Sequence, residues 1–262
     1  MPLKLKYKHR LMCGDSTNKD DVSRLMDGAI ADMVFTDPPY GMNLDTDWSR
    51  IGKNLLENRT KSASNLSIKN TKASQAKSYK KVENDDKPFE PKFILDRFDC
   101  DIILWGVDYY INKLTEGGTI FVWNKIANDN GNGVSWSIGS EYELGWINRK
   151  ARKKVFSELW SGLFGTEKQD VRKRIHPNQK PIGLIEKCLK EYGQKHKVLV
   201  DLFLGSGSTL IACEKTNRQC YGMEIDPHYC SVIIQRYKDF CGKDVVKAKK
   251  DAALKIKDGF VK

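Results

Sequence analysis

Asp32-Met33-Val34-Phe35-Thr36-Asp37-Pro38-Pro39-Tyr40 is the stretch around which the chain is organised. Its first five residues form a short apolar run of the kind a buried strand makes. Two prolines then follow, and neither strand nor helix continues through them. The sequence predicts a rigid elbow at the strand's carboxyl end, where open α/β sheets place their ligands. The elbow offers the acceptor-only carboxylate of Asp37, backbone carbonyls in fixed directions and the aromatic face of Tyr40. A flat ring carrying an amino group suits that set, with Asp37 taking the N–H and Tyr40 covering the ring. A plain Pro-Pro turn with an unrelated acid is the competing reading.

On the amino-terminal side, residues 8–15 read as a short strand ending in Gly14-Asp15-Ser16, and residues 18–27 as a helix whose Val22, Leu25 and Met26 share a face before Gly28 ends it. Strand, helix and strand within this span make a parallel crossover unit. On the other side, residues 102–106 and 119–123 read as buried strands, with a short helix over 108–114 between them. Residues 141–148 and 155–160 follow as further strands, after an Asn/Gly-rich loop at 127–139. Pro181 opens a helix that Gly193 closes. Residues 198–203 form the strongest strand pattern in the chain and run into Gly205-Ser206-Gly207-Ser208, where a helix begins. A strand over 220–225 and a helix after Asp226-Pro227 complete the pattern. Alternating strands and helices predict an α/β fold with a mostly parallel sheet, read as a single domain over 1–262 with one catalytic half (1–160) and one cofactor half (175–240).

The chain has 262 residues, a formal net charge of +11 and a pI of about 9.2, which predicts an anionic partner, nucleic acid first. Residues 41–99 break the α/β pattern. Within them, residues 59–81 hold seven basic side chains and no acid, among Ser, Asn, Thr and Gln. This reads as an exposed, mobile insertion whose Lys69, Lys72, Lys77, Lys80 and Lys81 grip phosphates beside the elbow. The tail over 243–262 is Lys-rich and reads as frayed. No apolar stretch reaches the ~18–20 residues that span a bilayer, so no membrane is expected and the protein reads as cytoplasmic. Seven scattered cysteines without a Cys-x-x-Cys pair argue for free thiols and against a metal site.

The glycine turn brings a second function. Glycines at 205 and 207 let backbone and ligand approach closely, and the helix start offers free N–H groups. Glu224, nineteen residues after Gly205 at the end of the next strand, can hold both hydroxyls of a ribose. The unit therefore reads as a site for a nucleoside-containing cofactor, with Phe203 lining its adenosine. Leu210 stands where a dinucleotide fingerprint has its third glycine, which lowers the case for NAD.

Taken together, these pieces resemble the amino-methyltransferases of DNA in their β arrangement, where the catalytic tetrapeptide comes early and the glycine turn late. Asp37-Pro38-Pro39-Tyr40 matches the family's D-P-P-Y. Residues 201–208 match its S-adenosylmethionine motif, His176-Pro177-Asn178-Gln179-Lys180-Pro181 matches the segment that precedes the cofactor half, and Gly14-Asp15-Ser16 fits the opening strand. The resemblance implies a Rossmann-like class I methyltransferase fold: a seven-stranded sheet, parallel except for one strand, with helices on both faces. It implies S-adenosylmethionine as cofactor. Asp201, Phe203, Gly205, Ser206, Gly207 and Ser208 would wrap it, and Glu224 with Asp226 would take the ribose end. Asp15 would approach its adenine, and His176, Gln179 and Lys180 would complete the pocket for its methionine end beside Asp37.

The activity implied is site-specific methylation of DNA at the exocyclic N6 of a flipped-out adenine, with the leading Asp tipping the choice away from N4 of cytosine. Pro38, Pro39 and Tyr40 would act with Asp37 on the acceptor base. A nucleic-acid binder that has lost catalysis and a nicotinamide oxidoreductase are the rival classes. The second leaves the proline elbow unexplained. DNA is the implied partner, and the resemblance leaves room for a homodimer and for a cognate restriction endonuclease. Many members carry a separate recognition domain before the segment equivalent to His176. Here that interval is short, so base reading would fall to 41–99 or to 127–139.

Overall fold

The computed structural model describes residues 3–5, 9–43, 79, 81–127, 140–161, 164–165, 175–241 and 246–247. The central strands are β2 (Arg10–Cys13), β3 (Met33–Thr36), β4 (Asp101–Trp105), β5 (Thr119–Asn124), β6 (Tyr142–Ile147), β10 (Val198–Asp201) and β11 (Gln219–Glu224). Three short strands, β1 (Leu3–Leu5), β7 (Val155–Ser157) and β12 (Val246–Lys247), extend the edges, and β8 (Trp160–Ser161) pairs with β9 (Phe164–Gly165) as a separate ribbon. The sheet order is β12-β1-β2-β11-β10-β3-β4-β6-β5-β7. Its seven central strands are parallel except β6, which runs against β4 and β5. Among the described residues the sheet thus has ten strands rather than seven. Of the extra strands, β7 opens the stretch read as a strand over 155–160, whereas β1 and β12 hold three and two residues, too few for an apolar alternation to register in sequence.

The pleat sends alternate residues to opposite faces. Met33, Phe35, Ile103 and Trp105 join one buried cluster with helices α3 (Ile182–Tyr192), α4 (Ser208–Lys215) and α5 (Pro227–Cys241). Val34, Ile102, Leu104 and Val200 join the other, with helix α1 (Lys19–Met26) and the segment carrying Phe89 and Ile94. Each such side chain removed from water contributes about 1.5–3 kcal/mol, so both layers hold the strands whose carboxyl ends carry the site.

The helix boundaries follow from the residues at them. Asn18 caps α1 by accepting from the Asp20 N–H, and Asp27 closes it in the left-handed region just before Gly28. Strand β10 is fixed at its start by Asp32, whose Oδ2 accepts from the N–H groups of Lys197 and Val198 at 2.8 Å each. Buried His9 joins the far side: its Nδ1 accepts from the Cys220 N–H and its Nε2 lies 2.7 Å from Glu214. Burial holds the His9 pKa below its ordinary value against the pull of Glu214.

Three expectations change. Residues 108–114 do not form one helix but two 3-10 turns, Val107–Tyr109 and Ile111–Lys113, entered through Gly106 at φ +67°. Residues 81–99, read as the end of an exposed insertion, pack instead: Phe89 and Ile94 are buried and α2 (Lys92–Leu95) forms there. Val246 and Lys247, in the tail read as frayed, pair with β1. Lys69, Lys72, Lys77 and Lys80 lie outside the described residues, as does the loop at 128–139. Among the described residues, no helix is long and apolar enough to cross a membrane.

Candidate active site

Strand β10 lies parallel beside β3, with Leu199 opposite Met33 and Val200 opposite Val34. That pairing sets the proline elbow and the glycine turn side by side, although 164 residues separate Asp37 from Asp201. Thr36 Oγ1 donates to Asp201 Oδ1 at 2.7 Å, and the same oxygen accepts from the Phe203 N–H at 3.1 Å. The buried Asp201 carboxylate thereby ties the two strand ends together. Burial raises its pKa against the pull of these donors.

Both motifs open onto one cavity of about 390 Å³, lined at one end by Asp37, Pro38, Pro39 and Lys180 and at the other by Gly205, Glu224 and Asp226. The volume falls in the usual range for small-molecule sites, roughly 300–1,000 Å³. Asp15, Lys81, His176, Gln179, Asp201, Phe203, Ser206 and Ser208 also line it. Two of the expected site residues do not. Gly207 faces α5, where an added Cβ would stand 3.1 Å from Ile233, and its φ of +82° needs glycine. Tyr40 stacks on Tyr109, ring centroids 4.6 Å apart and planes at 24°, with its hydroxyl pKa raised by burial.

At the glycine-turn end, Glu224 accepts from Gly205 N–H at 2.8 Å through Oε2 and from Asp226 N–H at 3.0 Å through Oε1. Each oxygen keeps a lone pair for a further donor, such as a ribose hydroxyl. Burial pushes the Glu224 pKa up to about 7, against those two N–H donors. Asp15 is exposed, and its Oδ1 accepts from the backbone N–H and hydroxyl of Thr17. Arg236 donates to Ser206 O, Ser206 Oγ and Ser208 Oγ, so those hydroxyls are held in place by α5. The His176 ring packs edge-on against Tyr229 and accepts from the Asn178 N–H through Nδ1. Buried Gln179 uses Oε1 on the Ile175 N–H, while its Nε2 has no partner within the protein. A buried donor without a partner is costly and marks a place for an acceptor on a ligand.

At the elbow, Lys180 Nζ lies 2.6 Å from Asp37 Oδ2 and 2.5 Å from Glu143 Oε1. Asp37 Oδ1 is buried and has no hydrogen-bond partner. Burial pushes the Asp37 pKa up to about 6; Lys180 pulls it down and Glu143 pushes it up. For Lys180, burial favours loss of the proton, but the two carboxylates outweigh it and the pKa is raised. The corner therefore sets Lys180, with Lys125 3.8 Å from the other oxygen of Glu143, against the three carboxylates of Asp37, Glu143 and Asp201.

Similarity to known proteins agrees with this geometry. A family model for DNA methylases, of the N6/N4 methyltransferase kind, matches residues 58–236, more than half of the chain. The chain belongs to that DNA methylase family. The match starts after the D-P-P-Y elbow, which this chain brings to the same cavity through the β3–β10 pairing. Among similar proteins, the type II methyltransferase M.ScaI of Streptomyces caespitosus is 33% identical over 72 residues, 28% of this chain and 24% of that protein. M2.MboI of Moraxella bovis, also a type II methyltransferase, is 34% identical over 64 residues, 24% of this chain and 23% of that protein. The match thus spans about a quarter of the length of these curated relatives. Among solved structures, M1.HpyAVI in its SAM complex is similar at 15% identity and a TM-score of 0.46, covering 86% of this chain and 98% of that one. TTHA0409 of Thermus thermophilus complexed with S-adenosyl-L-methionine is similar at 15% identity and a TM-score of 0.46, covering 90% and 96%.

Several residues of the cavity and of the ion pair behind it escape the sequence motifs. Glu143 is one. Because β6 runs antiparallel, its first residues lie beside the carboxyl ends of β4 and β5, with Glu143 opposite Trp123. The signal for it is an acid early in a strand of otherwise apolar alternation. Residues 81–84 and 87–90, with Phe93, form a further wall, and Phe89 packs edge-on against Phe203. All seven cysteines are free, and among the described residues no group of three or more metal-ligand side chains occurs.

Proposed function

We propose that this chain methylates DNA at the exocyclic N6 of adenine, using S-adenosylmethionine. The observation that carries this reading is the buried, unpartnered Asp37 Oδ1 in the same cavity as Gly205 and Glu224. Bound there, S-adenosylmethionine would supply an electrophilic methyl group on a sulfonium. The donor set fits it: Glu224 has lone pairs for ribose hydroxyls, Gln179 Nε2 lacks an acceptor, and Phe203 with Phe89 gives an apolar wall for a flat ring.

The exocyclic amine shares its lone pair with the ring and is a weak nucleophile. Asp37 Oδ1 accepts one of its N–H groups and the Pro38 carbonyl accepts the other, which favours a pyramidal nitrogen with its lone pair free. As that nitrogen becomes cationic, the surplus of carboxylates at the corner stabilises it without any strong base. Asp37 Oδ1 then receives the proton the nitrogen sheds. The base must leave the duplex, which costs a few kcal/mol, and the exposed ring of Tyr109, itself stacked on Tyr40 of the elbow, offers a face whose stacking would offset part of that. The preference for adenine rests on the aspartate that leads the tetrapeptide, by resemblance within the family. Lysines of the 59–81 run would hold the phosphates.

The test is to incubate the protein with labelled S-adenosylmethionine and duplex DNA, digest the product to nucleosides and identify the labelled one. N6-methyladenine is expected. N4-methylcytosine would overturn the choice of base, and unlabelled DNA despite bound cofactor would overturn the reaction.

A further inference from the structure

We propose that Lys180 is a positioning residue for the acceptor amine: it grips one oxygen of Asp37 so that the other is left to accept the amine's N–H, and Glu143 anchors Lys180 from across the sheet. This deepens the methyl-transfer reading above and rests on it. The family resemblance assigns Lys180 to the cofactor's methionine end, whereas the geometry commits its ammonium elsewhere. Nζ lies within 2.6 Å of Asp37 and 2.5 Å of Glu143, and the side chain is only 8% exposed. With two carboxylates at that distance, two of the ammonium's three N–H donors are committed within the protein.

The arrangement also explains why a charge is retained in a buried place. An ammonium there costs desolvation that an apolar residue would avoid, so its presence calls for a task other than stability. Asp37 would otherwise be free to rotate and to accept a proton, because its surroundings favour the neutral form. It is faced by Glu143 from β6 and by Asp201 from the end of β10, both acidic, and by the hydroxyls of Tyr40 and Tyr110. Among the charged groups acting on it, Lys180 is the cation that opposes them. The segment His176 to Pro181 thus serves two partners: Gln179 keeps an unpartnered donor for a ligand, while Lys180 turns to the proline elbow.

The pair of substitutions Lys180→Met and Glu143→Gln tests this, because they remove opposite charges next to Asp37. Single-turnover methyl transfer is measured from pH 5 to 9, together with cofactor affinity by calorimetry. The carboxyl carbon of Asp37, assigned by its loss in Asp37→Asn, is titrated by carbon NMR without DNA. In Lys180→Met the Asp37 titration and the acidic limb of the rate should move up by about one to three pH units, with cofactor affinity unchanged. In Glu143→Gln both should move down. Lys180→Arg should hold the limb near its wild-type place if Lys180→Met fails to fold. Movement of both variants in the same direction, or a Lys180→Met that loses cofactor affinity with the titration unmoved, would overturn the assignment. If the wild-type protein places no label in DNA, the methyl-transfer reading fails, and the NMR titration still reports whether Lys180 grips Asp37.

Discussion

Replacing Asp37 by Asn should make the protein more stable while abolishing its chemistry. Asparagine imitates the neutral carboxyl in size and shape. In the folded state the Asp37 pKa is raised from 3.8 to about 6, chiefly by burial. A carboxyl whose pKa is raised on folding lowers stability progressively as pH rises from about 3.8, and the cost is complete above about 6. At about 1.4 kcal/mol per pH unit, that cost reaches about 3 kcal/mol at neutral pH. For a chain of this length, where 1 kcal/mol moves the melting temperature by about 2–4 °C, Asp37→Asn should melt about 6–12 °C higher at pH 7.5. The advantage should shrink as pH falls through 6 and vanish near pH 4, where the wild-type carboxyl is neutral as well. Melting curves by circular dichroism at several pH values measure it. In the labelled-methyl assay, loss of the charged acceptor should lower turnover at least about 100-fold, comparable with removal of one preorganised group elsewhere. A variant that melts lower than wild type at pH 7.5 would refute the electrostatic reasoning, and one that methylates DNA normally would refute the role.

Glu224→Gln should weaken cofactor binding by about 1.5–3 kcal/mol, the value of a hydrogen bond to a charged group, and calorimetry at pH 8 measures it. In the wild type the same affinity should fall as pH drops through about 7, because the protonated carboxyl is a poorer acceptor. Gly106→Ala drives a Cβ into the Tyr40 ring at a φ of +67°. It should cost about 1–3 kcal/mol from backbone strain alone and depress methyl transfer more than cofactor binding, as read by the same two assays. Neutralising Lys69, Lys72, Lys77, Lys80 and Lys81 should weaken DNA binding and flatten its dependence on salt by about 0.9 in slope for each phosphate no longer neutralised. Fluorescence anisotropy across a salt series would show an unchanged slope if those lysines do not touch DNA.

What the sequence made legible was local. The elbow announced itself because two prolines stop a strand whatever the rest of the chain does, and the glycine turn because glycines at 205 and 207 followed by a helix leave few other conformations. Glu224 stands out by its place at the end of the strand after the glycine turn, whereas Gln179 enters only through the resemblance of residues 176–181 to the family's segment. Glu143 was illegible because its meeting with Lys180 depends on β6 running backwards through a parallel sheet, which no spacing within residues 141–148 encodes. Phe89 was hidden by its setting, an aromatic inside a polar insertion whose average character points to solvent. Tyr109 needs the positive φ of Gly106 to reach Tyr40. Strands β1 and β12 exist through pairing alone, and two or three residues carry no period to read.

The return of residues 81–93 against Phe203 has a practical consequence for exchanging target preference between related enzymes. The excursion leaves the sheet after the elbow and comes back as masonry of the cofactor chamber. A graft taken over the whole of residues 41–99 would therefore carry away Phe89 and Phe93 and breach that chamber. On the function proposed above, splice points between 44 and 78 would spare that wall, so that chimeras could vary the lysine run proposed to hold phosphates while keeping the proposed cofactor site.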